Sequence, residues 1–134
     1  MDGCRFCEIS AGERDAYTVA DTEQTVAFLD SNPATVGHTL VAPKPHTEFL
    51  FKNGSVAESV FGTVQRTVAA MYRELSPDGI SVFYTSGALA GTVTHAHVHL
   101  VPRYVDDDIS IRLSREDLDD ETSTEIARRL QDGF

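Results

Sequence analysis

The sequence predicts an α+β domain: a five-stranded antiparallel sheet with one long helix and a short C-terminal helix. Three observations carry that expectation. Five short apolar stretches, at residues 17–19, 25–29, 38–43, 80–85 and 94–103, have strand length and are bounded by Asp, Asn, Pro and Gly. One segment, 56–75, repeats its apolar residues at helical spacing. The strands fall three before that helix and two after it, an order that suits antiparallel pairing better than strand–helix alternation.

Taken in order, the first two strands join across residues 21–24, and Ser31-Asn32-Pro33 with Gly37 marks the next turn. HTLVAP, residues 38–43, is the third strand, closed by Pro43 and Pro45, which have no N–H for a ladder. In the helix Val56, Val60, Val64, Val68, Met71 and Leu75 form an apolar stripe that Phe61 and Tyr72 widen. Ser55 and Glu58 read as its capping box, and Ser76-Pro77-Asp78-Gly79 stops it. ISVFYT is the fourth strand, and THAHVHLVPR, after the loop SGALAG, is the fifth. Residues 1–105 thus carry the core. Residues 106–134 form an acidic tail that opens on Asp106-Asp107-Asp108, and its short helix, 123–130, is expected to turn Ile126 and Leu130 onto the same domain.

Composition narrows the setting. At 134 residues the chain holds one core. Its net charge of −10 argues against nucleic acid or an anionic membrane as a partner. It has no apolar run of about 18 residues, and MDGCRFCEIS lacks the basic and apolar regions of a signal peptide, so a soluble cytoplasmic protein is expected. Lys44 and Lys52 are the only lysines beside abundant aspartate, a bias that suits a salt-rich cytoplasm.

The fifth strand places His95, His97 and His99 at alternate positions, with Ala96, Val98 and Leu100 between them. Alternate residues of a strand share a face, so the apolar set anchors the strand and the three imidazoles form a row about 13 Å long. Burying three imidazoles as mere packing would demand a partner for each ring nitrogen. Histidine titrates near neutrality and is a good ligand, so the row points to metal binding or to acid, base or nucleophilic catalysis.

These residues carry a resemblance. THAHVHLVPR resembles the signature of the histidine triad family, in which three histidines alternate with apolar residues. FLDSNPATVGHTLVAPKPH, residues 28–46, is similar to the family's second block, and CRFCEISAGE resembles the opening of its bacterial and archaeal members. The likeness covers residues 4–104 and implies a hydrolase or transferase acting on a nucleoside monophosphate joined to an amine or to another phosphate. By that resemblance His97 is the nucleophile that takes the nucleotidyl group. His99 donates to the phosphate oxygens or to the bridging atom, stabilising the charge that develops in the transition state. A neutral imidazole is nucleophilic, and a covalent intermediate splits one hard displacement into two easier ones. Relatives are usually homodimers that join their sheets, so a homodimer is expected.

The resemblance also implies a metal. Members that open with Cys-x-x-Cys use the two cysteines, the histidine of the Pro-Lys-x-His block and the first triad histidine as zinc ligands; here these are Cys4, Cys7, His46 and His95. A Cys2His2 set closes a tetrahedral site and is structural in kind. A disulfide, a redox pair and two idle thiols are the other readings of the cysteines. For the nucleotide, Asp30 matches the acidic residue that accepts from the ribose hydroxyls, and Phe6, Ile9 and Phe28 match the apolar positions around the base. Asp30 also reads as a turn residue, the three apolar residues as plain core, and His38 as structural. The loop TSGALAG departs from the family pattern: Thr85 and Ser86 stand where relatives carry asparagine, and the stretch from Gly91 to His95 is one residue short. Hydroxyls also bond phosphate or ribose, so Thr85, Ser86 and Thr92 are candidate contacts.

AMP-type phosphoramidates are the leading substrates on this reading, and dinucleoside polyphosphates come second. Two other classes are a catalytically weak nucleotide-binding module and a zinc-storage protein that uses every histidine as a ligand. Net charge −10 repels an anionic nucleotide, and the screening length shrinks from ~10 Å at 0.1 M salt to ~3 Å at 1 M. Turnover is therefore expected to rise across that range. A flat or falling salt profile in steady-state assays would remove the electrostatic argument.

Overall fold

The structure, a computed structural model, describes residues 3–87 and 93–134. A short helix, α1 (Arg5–Ser10), precedes β1 (Thr18–Asp21), β2 (Thr25–Leu29) and β3 (Thr39–Pro43). A 3-10 turn (Leu50–Lys52) leads into α2 (Gly54–Leu75), followed by β4 (Gly79–Phe83), β5 (Val98–Arg103) and α3 (Asp120–Asp132). The five strands form one sheet in the order β1-β2-β3-β5-β4, with every neighbouring pair antiparallel. Among the described residues no helix is long and apolar enough to cross a membrane.

Both faces of the sheet's centre are covered. On one face Val60, Val64 and Met71 of α2 pack with Leu50 against Ala27, Val41, Ala96, Val98 and Leu100. On the other, Phe6 of α1 joins Val26, Phe28, Leu40 and Ala42, with Cys4, Ile9 and Val93 against them. β3 is consequently buried at all five positions, so the polar alternation of a half-buried strand is missing there.

α2 differs from the expected stripe in two ways. Its N-cap is Asn53, whose side chain accepts from the Ser55 and Val56 amides, rather than a Ser55/Glu58 box. Phe61, Tyr72 and, at the end of the stripe, Leu75 lie exposed, and the inward places that spacing assigned to Phe61 and Tyr72 are taken by Thr63 and Thr67. These two threonines tolerate burial because their hydroxyls are satisfied: Thr63 Oγ1 meets Thr25 Oγ1 at 2.7 Å and Thr67 Oγ1 donates to the Thr63 carbonyl at 2.8 Å. An unpaired hydroxyl there would cost ~1–3 kcal/mol.

The histidine segment is strand only from Val98 onward. β3 pairs with it through Leu40↔His99 and Val41↔Val98, and the ladder then stops. Pro43 cannot donate further along, its carbonyl accepts instead from the His95 ring at 2.7 Å, and the Ala96 amide turns to the Thr47 carbonyl at 2.7 Å. At the other end of the chain, α3 does not turn inward. Ile126 and Leu130 are 43% and 64% exposed, and every residue of α3 is exposed. Two carboxylates fix where the tail leaves the sheet: Asp107 chelates Arg103, and Asp78 accepts from the Val105 amide.

Candidate active site and metal centre

His97 and His99 line a cleft of about 1020 Å³, together with Phe6, Ile9, Phe28 and Asp30. β5 supplies His99 and the segment just before it His97, α1 supplies Phe6 and Ile9, and Phe28 of β2 and Asp30 just beyond that strand complete the set. The two triad rings lie 5.0 Å apart, and Phe6 stands edge-on to His97 at 4.9 Å. A second depression, about 680 Å³ between the β1–β2 turn and α2, is lined by Glu23, Gln24, Gln65 and Arg66 among others and contains no histidine or cysteine.

A backbone carbonyl can only accept, and this fixes two imidazoles. His97 Nδ1 lies 2.8 Å from the His95 carbonyl oxygen, so the Nδ1–H donates and Nε2 of the neutral ring keeps its lone pair. His95 Nε2 lies 2.7 Å from the Pro43 carbonyl oxygen, so that proton is on Nε2 and Nδ1 is the free donor atom. Burial of His95 lowers its pKa, keeping the ring neutral.

That Nδ1 faces sulfur. It lies 3.3 Å from Cys4 Sγ and 3.5 Å from Cys7 Sγ, and His46 Nδ1 lies 3.4 Å from Cys7 Sγ. The four donor atoms of Cys4, Cys7, His46 and His95 fall within 4.8 Å of one another. A tetrahedral zinc with Zn–S of ~2.3 Å and Zn–N of ~2.0 Å would separate S and N by roughly 3.5 Å, so the donor set matches zinc in chemistry and spacing. Cys4 also caps α1 by accepting from the Cys7 amide at 3.3 Å. Burial and the neighbouring Cys4 thiol push the Cys7 thiol up to about 11.

On the far side of the cleft His99 stacks on Phe83, with centroids 4.6 Å apart and planes at 11°. Its Nδ1 lies 2.9 Å from Nε2 of His38. Burial, with His97 and His38 nearby, lowers the His99 pKa to about 4. Burial also lowers the His38 pKa, outweighing Asp30, whose carboxylate oxygen is 3.5 Å away. That contact is therefore between a charge and a neutral ring, not an ion pair. The other Asp30 oxygen accepts from the Asn32 amide at 2.9 Å, the turn role its sequence context suggested, while the residue also lines the cleft.

The HIT domain family model matches residues 11–106. The chain belongs to the histidine triad family. Within the family, the crystal structure of a HIT family protein from Bacillus anthracis superposes with a TM-score of 0.89 at 33% identity, covering 99% of this chain and 98% of that one. A zinc-bound histidine triad family protein from Mycobacterium smegmatis gives a TM-score of 0.75 at 32% identity, with 98% of each chain covered. A fission yeast relative, adenosine 5'-monophosphoramidase hnt1 of Schizosaccharomyces pombe, is 30% identical over 101 residues, 75% of this chain and 74% of that protein.

Against the histidine triad pattern, the structure brings together Phe6, Ile9, Phe28, Asp30, His97 and His99 around one cleft, and Cys4, Cys7, His46 and His95 around one point. Thr85 and Ser86 are exposed and do not line the cleft. Thr92 lies outside the described residues. Sequence reasoning passed over the charged rim of Arg5, Arg14 and Asp15 and over Phe83, which stacks on the His99 ring; it read His38 as structural without placing it against His99 Nδ1. For His38 a signal existed: a histidine at the start of a strand that is to be buried on both faces needs a partner for each ring nitrogen.

Proposed function

We propose that the protein hydrolyses nucleoside phosphoramidates of the AMP–amine type through a nucleotidyl-histidine intermediate on His97. The observation that carries this is the His97 ring, whose Nδ1–H is committed to the His95 carbonyl at 2.8 Å and whose Nε2 lone pair is left to a cleft large enough for a nucleotide. Nε2 attacks the α-phosphorus as the P–N bond breaks, and the leaving nitrogen departs with the bonding pair and takes a proton from solvent. Water then adds its oxygen to phosphorus, the His97 nitrogen recovers its electron pair, the second proton goes to solvent, and AMP is released. His99, neutral at pH 7, donates a hydrogen bond to the phosphate oxygens, whose charge grows in each transition state. Asp30 accepts from the ribose, and Phe6, Ile9 and Phe28 enclose the base. The activity named for the fission yeast relative supports the phosphoramidate class over dinucleoside polyphosphates.

Cys4, Cys7, His46 and His95 would hold a structural zinc ion, kept available to metal by a reducing cytoplasm. The edge strand β4, with Val82 and Phe83 44% and 42% exposed, suits the sheet-joining homodimer expected from relatives. The test of the reaction is a rapid quench in base, under single-turnover conditions with adenosine phosphoramidate, followed by peptide mass analysis. An adenylyl adduct on His97 is the expected result. AMP formed at full rate with no adduct on any peptide would replace the covalent route by direct attack of water.

A further inference from the structure

We infer that His38 is a positioning residue that fixes which nitrogen of His99 carries the proton. Ala34 N–H, which can only donate, points at His38 Nδ1 from 3.0 Å. Nδ1 is therefore the lone-pair nitrogen, and the neutral ring has its proton on Nε2. The turn around it is pinned by the His38 amide on the Thr35 carbonyl at 3.1 Å and the Asp30 amide on the His38 carbonyl at 2.9 Å. Gly37, at φ +92°, makes that turn possible: a Cβ there would sit 2.7 Å from Leu75 Cδ1.

His38 is 6% exposed. A second proton could enter only at Nδ1, directly against the Ala34 amide, and burial disfavours it besides. Two ring nitrogens 2.9 Å apart, as His38 Nε2 and His99 Nδ1 are, share one proton, and here it belongs to His38. His99 Nδ1 then accepts, and the neutral His99 ring bears its own proton on Nε2, the nitrogen turned from His38. Stacking on Phe83 holds the ring plane. A flipped His99 would set a carbon-bound hydrogen against the His38 N–H.

The same relay disposes of a rival reading. Asp30, His38 and His99 offer donor atoms within 4.8 Å of one another, the make-up of a two-histidine, one-carboxylate metal site. His38 Nε2 has no lone pair to give while Ala34 occupies Nδ1, so the cluster is bridged by a proton. Its consequence for chemistry rests on the proposed role of His99: an N–H at Nε2 stabilises phosphate charge, whereas the opposite tautomer would aim a lone pair at an anion. The three triad rings thus have their protons placed by three different backbone groups. Carbonyls set His95 and His97 directly, and an amide sets His99 through His38.

The test needs no substrate. In 15N-labelled, zinc-loaded protein at neutral pH, His99 is expected to show a lone-pair Nδ1, a protonated Nε2, and a nitrogen–nitrogen coupling across the hydrogen bond from His38 Nε2. A proton found on His99 Nδ1, or rapid averaging of its two nitrogens, would overturn the inference. His38→Asn keeps an acceptor for Ala34, but its amide N–H falls short of the place of His38 Nε2, so the tautomers should average and kcat should fall roughly 10- to 100-fold with KM changed less than about threefold. His38→Gln places an amide N–H near Nε2 and should restore the single tautomer and most of the lost kcat. An Asn variant that matches the unaltered protein in spectrum and kcat, or a Gln variant no better than Asn, would also overturn it. Absence of turnover in the unaltered protein would instead count against the proposed function, with the tautomer still decided by the spectrum.

Discussion

His97→Ala is expected to lower kcat for adenosine phosphoramidate by at least ~10³-fold while AMP binding changes less than about tenfold. The asymmetry follows from what the ring touches. Its Nδ1 is engaged by the His95 carbonyl and one edge meets Phe6, but the packing of this segment is carried by Ala96, Val98 and Leu100, which are 4%, 0% and 0% exposed on the opposite side. Truncating His97 therefore removes the nucleophilic nitrogen and leaves the core, Asp30 and the base-enclosing side chains in place. The measurement is steady-state turnover at molar salt beside calorimetric AMP binding. A variant that retains more than a tenth of native kcat would exclude His97 as nucleophile. Loss of turnover in both proteins with AMP binding intact would favour a nucleotide-binding module, with the departures in TSGALAG as the natural place to look.

Removing the metal is expected to have the largest effect on stability. One zinc per chain should accompany the purified protein, and Cys7→Ser should abolish it and lower Tm by ~10 °C or more. The four candidate ligands come from the N-cap and first turn of α1, the segment after β3 and the segment before β5, so one ion held there would tie together residues 91 positions apart in the chain. A structural zinc contributes on the order of 10 kcal/mol of binding free energy to folding, and a lost thiolate forfeits much of it. Freed of this tie, α1 would rely on the packing of Phe6 and Ile9 to hold its six residues on the sheet, too short a helix to persist alone. Phe6 and Ile9 also line the cleft, so AMP binding should weaken in parallel. Elemental analysis with calorimetry, before and after a chelator, makes the comparison. A metal-free protein with unchanged Tm would reduce Cys4 and Cys7 to ordinary thiols, and more than one tightly held zinc per chain would revive the storage reading.

Strong local periodicity made the long helix, the five strands and their antiparallel pairing legible before any coordinates, and the three spaced blocks made the family legible with its candidate residues. Local pattern failed where a residue's fate depended on something distant. Residues 5–10 are too few to show helical periodicity, and α1 owes its place to Cys4 as cap and to Phe6 in the second core layer. Thr63 and Thr67 look polar in isolation and are buried because Thr25, far off in sequence, meets one of them. Ile126 and Leu130 have the spacing of an inward stripe, yet among the described residues nothing covers them and both are exposed.

The sequence by itself determined which side chains were available: three alternating histidines, two cysteines at the spacing of a helical turn, and an apolar set to anchor them. Only the tertiary structure decided what each ring nitrogen does. Three imidazoles that are alike along the sequence became a ring facing two cysteine sulfurs, a ring with a free lone pair and a ring with a free N–H. They differ because Pro43, His95 and, through His38, Ala34 each present a backbone group that can only accept or only donate, and a neutral imidazole has a single proton with which to answer.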